Sequence, residues 1–140
     1  MTLLLDNSAW VRISLGVLEL NRARQIADKF DEGSVAVALP FLLEAGYTAR
    51  SADEHASMLD ELLALPYLAI DEEVERAALQ AQRQLVRVGH HRLATVDLLL
   101  AAIADRRGTG ILHYDADYDL ILGMTDLRFE SVWVAERGSL

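Results

Sequence analysis

Residues 2–10, TLLLDNSAW, are the stretch that decides the fold of this chain. Leu3–Leu5 form a short apolar run, which is typical of a strand buried on both faces of a parallel sheet. The run ends at Asp6, and the next two residues, Asn7 and Ser8, are types that cap helices or make turns. The stretch therefore predicts that Asp6 lies at the carboxyl end of a buried strand, directly before a helix. In that position it serves either as a helix cap or as part of a ligand site.

The size and composition of the chain are those of one folded domain. Its 140 residues can bury a substantial core, and a hydrophobic fraction of 52% argues against disorder. We expect a single domain over residues 1–140. No apolar run approaches the roughly 18 residues that a membrane span needs, so we expect no membrane segment. Asp6 interrupts the apolar run near the N-terminus, which argues against a signal peptide and fits a cytoplasmic location.

The charge of the chain restricts the ways in which it could act on nucleic acid. There are 22 acidic residues against 13 basic ones, for a net charge of −9. Affinity for phosphate comes largely from cationic contacts, so such a chain is a poor general binder of nucleic acid. Any activity on nucleic acid must use a local basic patch, a metal ion or both. The chain has no cysteine, which excludes disulfides, thiolate metal sites and cysteine nucleophiles.

Short apolar strands alternate with helices along the rest of the chain. Predicted strands span residues 3–5, 35–38, 67–70, 111–113 and 129–134. Predicted helices follow Asp6 and span residues 18–30, 40–50, 51–65, 72–88 and 96–107, with a helical turn at 120–122. This alternation predicts a three-layer α/β/α sandwich with a mostly parallel central sheet. The helix at 96–107 is apolar almost all round, so we expect it to be the central buried helix, with Thr95 as a possible cap.

Acidic residues stand at apolar positions in two of the predicted helices. Asp97 lies in the first turn of the central helix, where a buried charge must be paired or bind a metal. The alternative is that Asp97 only complements the helix dipole. Glu44 lies between Leu43 and Ala45 on the helix that follows the second strand. It is either a solvent-facing residue of an amphipathic helix or a second acid of the same site.

Three further acids follow the fourth predicted strand, in a pattern that turn chemistry alone could also produce. Four chain segments thus bring acids to the same predicted edge of the sheet: Asp6, Glu44, Asp97 and the group Asp115, Asp117 and Asp119. Clustered carboxylates repel one another, and a hard divalent ion such as Mg²⁺ or Mn²⁺ relieves that repulsion. Two such ions about 3.5–4 Å apart could stabilise the attacking and leaving oxygens of a phosphodiester.

Four motifs together resemble the PIN-domain ribonucleases, specifically the VapC-type toxins of bacterial toxin–antitoxin pairs. They are residues 4–10 (LLDNSAW), 43–46 (LEAG), 95–104 (TVDLLLAAIA) and 113–118 (HYDADY). Each motif is weak alone, but all four occur in the order and at spacings similar to those of the family, over nearly the whole chain. Tyr114 and Tyr118 depart from the residues that are frequent in the family at those positions, a basic or small residue and Phe, and neither departure removes a ligand.

The resemblance implies an Mg²⁺-dependent endoribonuclease, with Mn²⁺ as a possible substitute. The implied catalytic and metal-binding residues are Asp6, Glu44, Asp97 and Asp115. Ser8 is the implied supporting hydroxyl, and Asp117 could share the role of Asp115. The expected reaction is attack of a metal-activated water on RNA phosphorus, leaving a 5′-phosphate and a 3′-hydroxyl. The family also implies a homodimer and a cognate VapB-type antitoxin that inserts a cation among the carboxylates.

A basic cluster and two apolar stretches are the candidate interaction surfaces. Arg87 and Arg92, with His90 and His91 between them, precede the central helix, and we predict that the arginines contact RNA phosphate. The alternative is a solvated loop after a helix C-terminus. The two histidines lack soft ligands beside them, so the hard-ion acids are the better metal site. The helices around residues 42–47 and 59–65 could supply a dimer or antitoxin surface, or belong to the core.

Other functions fit the sequence less well. A phosphatase or receiver-like domain, which also uses Mg²⁺ on phosphate, usually needs a lysine near its site, and Lys29 lies on a helix predicted to be exposed. A dinucleotide-binding fold would carry G-x-G-x-x-G after the first strand, and that pattern is absent. A PIN-like module that only binds a partner stays an alternative, although all four acids of the nuclease pattern are present.

Overall fold

A four-stranded parallel sheet, in the order β2-β1-β3-β4, forms the centre of the fold. We describe it from a computed structural model that covers residues 1–90 and 92–140. The elements are β1 (Leu3–Leu5), α1 (Asn7–Leu15), α2 (Leu20–Asp31), β2 (Val35–Ala36), α3 (Leu39–Tyr47), α4 (Ala52–Leu62), α5 (Glu72–Arg87), α6 (Thr95–Arg107), β3 (Gly110–His113), α7 (Asp117–Met124) and β4 (Ser131–Trp133). The predicted α/β fold class is confirmed, and all described strand pairs are parallel.

The two central strands, β1 and β3, are buried along their whole length. In their register Leu3 pairs with Gly110 and Leu5 with Leu112. A Cβ at Gly110 would lie 2.8 Å from the Leu3 side chain and 3.0 Å from the Glu130 carbonyl, so only glycine lets the strands approach this closely. Because the strands are parallel and in register, the residues after β1 and β3 emerge side by side at one edge of the sheet.

The helix that packs at the centre of the core is α6, as predicted. Its buried residues are Asp97, Leu98, Leu100, Ala101, Ala102, Ile103 and Ala104. The predicted cap is wrong, however. Ala94 is the N-cap, and Thr95 is the first residue of the helix and makes no capping hydrogen bond. Asp97 thus lies in a first turn without a side-chain cap and is only 5% exposed.

The strand predicted at residues 67–70 is wrong. This segment makes a single isolated bridge, between Tyr67 and Val37. Val37 donates its N–H to Pro66 and accepts from Leu68, at 2.8 and 2.9 Å. The chain then enters α3 at Leu39, so no further extended backbone remains for this segment to pair with. Because α3 begins at Leu39, β2 is also shorter than the predicted strand at 35–38 and ends at Ala36.

The helical turn predicted at 120–122 is too short, because the helix α7 already begins at Asp117. Two acids in its first turn, Asp117 and Asp119, favour a helix start through the dipole. Its buried residues, Tyr118 and Ile121, anchor it to the core. The aromatic residue that follows the Asp-x-Asp motif is therefore fixed inside the protein and not in a turn.

The two apolar helices considered as interaction surfaces divide between core and surface. Leu42 and Leu62 are buried, whereas Leu43, Tyr47 and Leu63 are 65, 90 and 54% exposed. The core interpretation is confirmed for the buried face, and the interaction surface stays a prediction for the exposed face. Over residues 1–90 and 92–140 we find no helix with the length and apolar composition required to cross a membrane.

Candidate active site

The acids of the four motifs are carried by elements that meet at the carboxyl edge of the sheet. Asp6 follows β1 directly, and Asp115 comes two residues after the end of β3. Asp97 is in the first turn of α6, which packs against both α3 and α7. Glu44 is on α3, and Asp117 opens α7. The fold therefore collects side chains that are more than a hundred residues apart in sequence.

Asp6 is both a helix cap and a member of this cluster, so neither interpretation excludes the other. It is 2% exposed, and its Oδ2 accepts the N–H of Ser8 at 3.0 Å as the N-cap of α1. The Ser8 hydroxyl donates a second hydrogen bond to the same oxygen. The Ser8 Oγ in turn accepts the N–H of Tyr114 at 2.8 Å. Ser8 thus holds the Asp6 carboxylate in one orientation.

Tyr118 is a member of the site that the sequence did not identify. Its ring is fully buried, and its hydroxyl donates to Asp6 Oδ1 at 2.7 Å and lies 3.4 Å from Asp97 Oδ1. Burial, followed by the charges of Asp6 and Asp97, raises the pKa of Tyr118 well above its usual value, so the hydroxyl keeps its proton. The sequence did offer one signal: the residue directly after the Asp-x-Asp motif is a tyrosine, which carries a hydroxyl, and not a phenylalanine.

The tightest group of carboxylates comprises Asp97, Asp115 and Asp117, each of which offers an oxygen within 4.8 Å of the others. The Oδ1 of Asp115 accepts the N–H of Asp117 at 2.9 Å, and this hydrogen bond orients the carboxylate of Asp115. Burial and then the charges of Asp6 and Asp115 raise the pKa of Asp97 to about 8. The pKa of Asp117 is also raised, by burial and by Asp115. Such shifts mark a site with an excess of negative charge.

Glu44 lies at the rim of the site and adds its negative charge to that of the other carboxylates. It is half-buried, and its pKa is raised first by burial and then by the charges of Asp6 and Asp115. Glu44 is thus not a simple solvent-facing residue. Glu44 is outside the tightest group of carboxylates, however. Asp117, to which the sequence assigned only a supporting role, belongs to that group.

His113, at the end of β3, binds the backbone of Asp115 and was also not identified from the sequence. Its Nδ1 accepts the N–H of Asp115 at 3.1 Å, so the ring proton is on Nε2 and is donated to the Ser131 Oγ at 2.7 Å. Burial lowers the pKa of His113 below its ordinary value. The neutral ring therefore links β4 to the backbone of Asp115.

The donor set of this site suits a hard divalent cation. Every candidate ligand is a carboxylate, and such oxygen ligands are preferred by Mg²⁺ and Mn²⁺. In the part of the chain that the structure describes, the ion pairs are elsewhere, joining Arg76 to Glu72, Arg106 to Glu73 and Arg107 to Asp71. No described arginine or lysine therefore neutralises the cluster, and a divalent ion fits the charge that the protein leaves unbalanced.

The arginines predicted to contact RNA lie on the surface beside the entry to α6. Arg87 ends α5, and Arg92 is in the loop that leads to α6; both are exposed. His90 is exposed as well, and His91 lies outside the described residues. A different arginine, Arg12, contacts two residues, Ser8 and Tyr114, that stand close to Asp6 and Asp115 in the sequence. It donates to the Ser8 carbonyl at 2.9 Å and stacks on the Tyr114 ring at 4.1 Å.

Several known proteins are similar to this chain in sequence or fold. The family model described as PIN domain matches residues 3–121. Ribonuclease VapC18 of Mycobacterium tuberculosis is 32% identical over 143 residues, covering 100% of both chains. Ribonuclease VapC51 of the same organism is 31% identical and covers 98% of this chain and 96% of its own.

Solved structures share the fold at lower identity. VapBC2 from Rickettsia felis, bound to a DNA fragment from its promoter, matches with a TM-score of 0.74 at 15% identity, over 95% of this chain and 99% of its own. VapBC-5 from M. tuberculosis matches with a TM-score of 0.64 at 20% identity, over 94% and 98%. At these identities the structural likeness concerns the fold alone.

Proposed function

This chain belongs to the PIN-domain family, as its four motifs predicted, and on that basis we propose that it is a VapC-type ribonuclease toxin that cleaves RNA with Mg²⁺ or Mn²⁺. The observation that carries the proposal is the convergence of carboxylates from four chain segments at one edge of the sheet, with no described cation paired to them. A structural role for such a cluster is unfavourable, because buried like charges repel one another.

In the proposed reaction the acids divide into ligands and a proton acceptor. Asp6, Asp97 and Asp115 would hold the divalent ion, with Asp117 sharing the position of Asp115. The ion, when bound, supplies a Lewis acid that activates water and offsets the charge developing on phosphate. Glu44, half-buried at the rim, would orient the attacking water and accept its proton. The products would be a 5′-phosphate and a 3′-hydroxyl.

The test is cleavage of total RNA by the purified protein with Mg²⁺, with Mn²⁺ or with EDTA, followed by mapping of the new 5′ ends. We expect cleavage with either metal, ends that ligate directly because they carry phosphate, and no new ends in EDTA. Asp6→Asn should abolish the cleavage, which excludes a contaminating nuclease. Cleavage that persists in EDTA, or that Asp6→Asn retains, would refute the proposed function.

We further propose that a cognate antitoxin binds beside the carboxylates. The solved relatives are VapBC toxin–antitoxin structures, and a groove of about 530 Å³ beside Glu44 has almost wholly apolar walls. Its lining residues are Leu39, Pro40, Leu43, Tyr47, Ile70, Val96 and Leu99, with Glu44 among them. An apolar helix with one basic side chain fits this surface, because the apolar wall ends at the acids. Addition of the antitoxin should then lower the affinity for Mn²⁺.

We also propose that the protein forms a homodimer. The variant Leu43→Glu tests whether the dimer and the antitoxin use the same surface. The substituted side chain is 65% exposed on α3, so the variant should fold. We expect it to lose the antitoxin while its mass by light scattering stays that of the wild-type dimer. If Leu43→Glu instead becomes monomeric, the groove is the dimer interface and the antitoxin site is elsewhere.

A further inference from the structure

The hydroxyl of Tyr118 has one proton and two carboxylates within reach. It donates to Asp6 at 2.7 Å and lies 3.4 Å from Asp97, so its proton serves mainly Asp6. The ring is fully buried between His113 and Phe129, at centroid distances of 4.8 and 6.2 Å, so the hydroxyl cannot turn away to solvent. This phenol is therefore a neutral donor fixed among acidic side chains.

The hydrogen bond from Tyr118 is not required to orient Asp6. The Oδ2 of Asp6 already accepts both the N–H and the hydroxyl of Ser8, which define the plane of the carboxylate. Only Oδ1 accepts from Tyr118, which leaves that oxygen one further lone pair for a ligand. What the phenol adds is partial neutralisation of a carboxylate that lies beside a second one.

We propose that the Tyr118 hydroxyl substitutes for a cation in the metal-free protein and thereby weakens the affinity of the site for its divalent ion. The inference rests on the proposed function, since it concerns the same carboxylates. A hydrogen bond to a charged acceptor is about twice as strong as one to a neutral acceptor. A bound cation removes much of the charge on Asp6, so the same hydrogen bond stabilises the metal-free state more than the metal-bound state.

The variant Tyr118→Phe removes this hydroxyl and keeps the ring. Its affinity for Mn²⁺, measured by isothermal titration calorimetry, should rise by roughly tenfold, since the variant loses a hydrogen bond to a charged group that acts mainly in the metal-free state. Its melting temperature should fall more in EDTA than in saturating Mn²⁺.

Tyr114→Phe is the matched control. It also loses a phenol hydroxyl, but the hydrogen bonds of that hydroxyl within the described residues are to the backbone of Leu140, at 2.9 and 3.5 Å. Its affinity for Mn²⁺ should equal that of the wild type. A shift of equal size in both variants would mean that the effect is unspecific and would overturn the inference.

Unchanged or weaker Mn²⁺ binding by Tyr118→Phe overturns the inference and leaves the proposed function intact, provided that the wild type binds Mn²⁺. Absence of Mn²⁺ binding by the wild type refutes the proposed function itself. If Tyr118→Phe is unfolded in EDTA, Mn²⁺ is titrated in while circular dichroism is followed. Recovery of the wild-type spectrum supports the inference, and no recovery at saturating Mn²⁺ overturns it.

Discussion

The N–H of Tyr114 donates a 2.8 Å hydrogen bond to the hydroxyl oxygen of Ser8, 106 residues away in sequence. This hydrogen bond joins the end of β3 to the start of α1. Because the same hydroxyl donates to Asp6, the single side chain of Ser8 fixes both the backbone that precedes Asp115 and the carboxylate that follows β1. One hydroxyl thus sets the relative position of two acids contributed by different strands.

Ser8→Ala should therefore reduce metal affinity and stability together. Without the hydroxyl, Asp6 loses one of its hydrogen bonds and the N–H of Tyr114 loses its acceptor. We expect a loss of about 1–3 kcal/mol in the free energy of unfolding, measured with urea. The affinity for Mn²⁺ should fall roughly 10- to 100-fold, as for other residues that orient metal ligands. Ser139→Ala, which removes an exposed hydroxyl bonded to the Glu136 carbonyl, should change neither quantity.

The stability of the metal-free protein should fall as pH rises. The pKa of Asp97 is raised to about 8 in the folded protein, from an ordinary value of 3.8. Between these values the folded state holds a proton that the unfolded state has lost, so the slope of stability against pH is negative. In EDTA we expect the melting temperature to drop on the order of 5 °C between pH 5.5 and 8.5.

Two further measurements check that Asp97 and its neighbours cause this pH dependence. Asp97→Asn, which cannot titrate, should show a flatter melting curve against pH in EDTA. Mn²⁺ should stabilise the wild type more at pH 8.5 than at pH 5.5, because the ion competes with a proton for the same carboxylates. A wild-type melting temperature in EDTA that rises over this interval would contradict the assignment.

Substitutions of Asp117 and of Asp119 should have clearly different effects on the affinity for metal. Asp117 belongs to the group of three carboxylates, whereas Asp119 is exposed and accepts the indole N–H of Trp133 at 3.1 Å. We expect Asp117→Asn to weaken Mn²⁺ binding by roughly tenfold or more, and Asp119→Asn to leave it unchanged. Equal effects of the two substitutions would mean that overall charge, and not ligation, controls the affinity.

Arg87 and Arg92 should bind RNA through its phosphates. We expect the double variant Arg87→Gln, Arg92→Gln to bind single-stranded RNA more weakly. The slope of log affinity against log salt should be smaller in magnitude by roughly 1.4, or about 0.7 for each phosphate that an arginine no longer neutralises. Binding is measured by fluorescence anisotropy in EDTA to prevent cleavage. Arg83→Gln, on an exposed turn of α5, is the control, and an unchanged slope in the double variant would assign these arginines to a solvated surface.

The sequence predicted best where local chemistry and burial agree. Leu3–Leu5 is apolar on both faces and ends abruptly at Asp6, which determines a buried strand and the edge where it stops. The helix α6 is apolar almost all round, which predicts burial without knowledge of its neighbours. Four acid-bearing motifs in order predicted the family, and that prediction is confirmed.

Two predictions about secondary structure are wrong, and one of them depended on a partner that is distant in sequence. The segment after Pro66 has the composition of a strand, but the backbone that it would pair with enters α3 after one bridge. Thr95 is a residue type that caps helices, yet Ala94 occupies the cap position. The surrounding elements left the predicted strand without a partner, whereas the cap prediction missed the start of α6 by one residue.

The sequence by itself indicated that acids of four chain segments meet at the carboxyl edge of the sheet, because apolar runs mark the ends of β1 and β3 and the alternation of strands with helices predicts a parallel sheet. Only the tertiary structure decided how they are grouped: Asp97 with Asp115 and Asp117, Glu44 at the rim, and Asp6 joined to Tyr118 across 112 residues. The physical reason is that hydrogen bonds and charge repulsion act over a few ångströms. Those distances are set by the packing of whole helices and strands, and not by spacing along the chain.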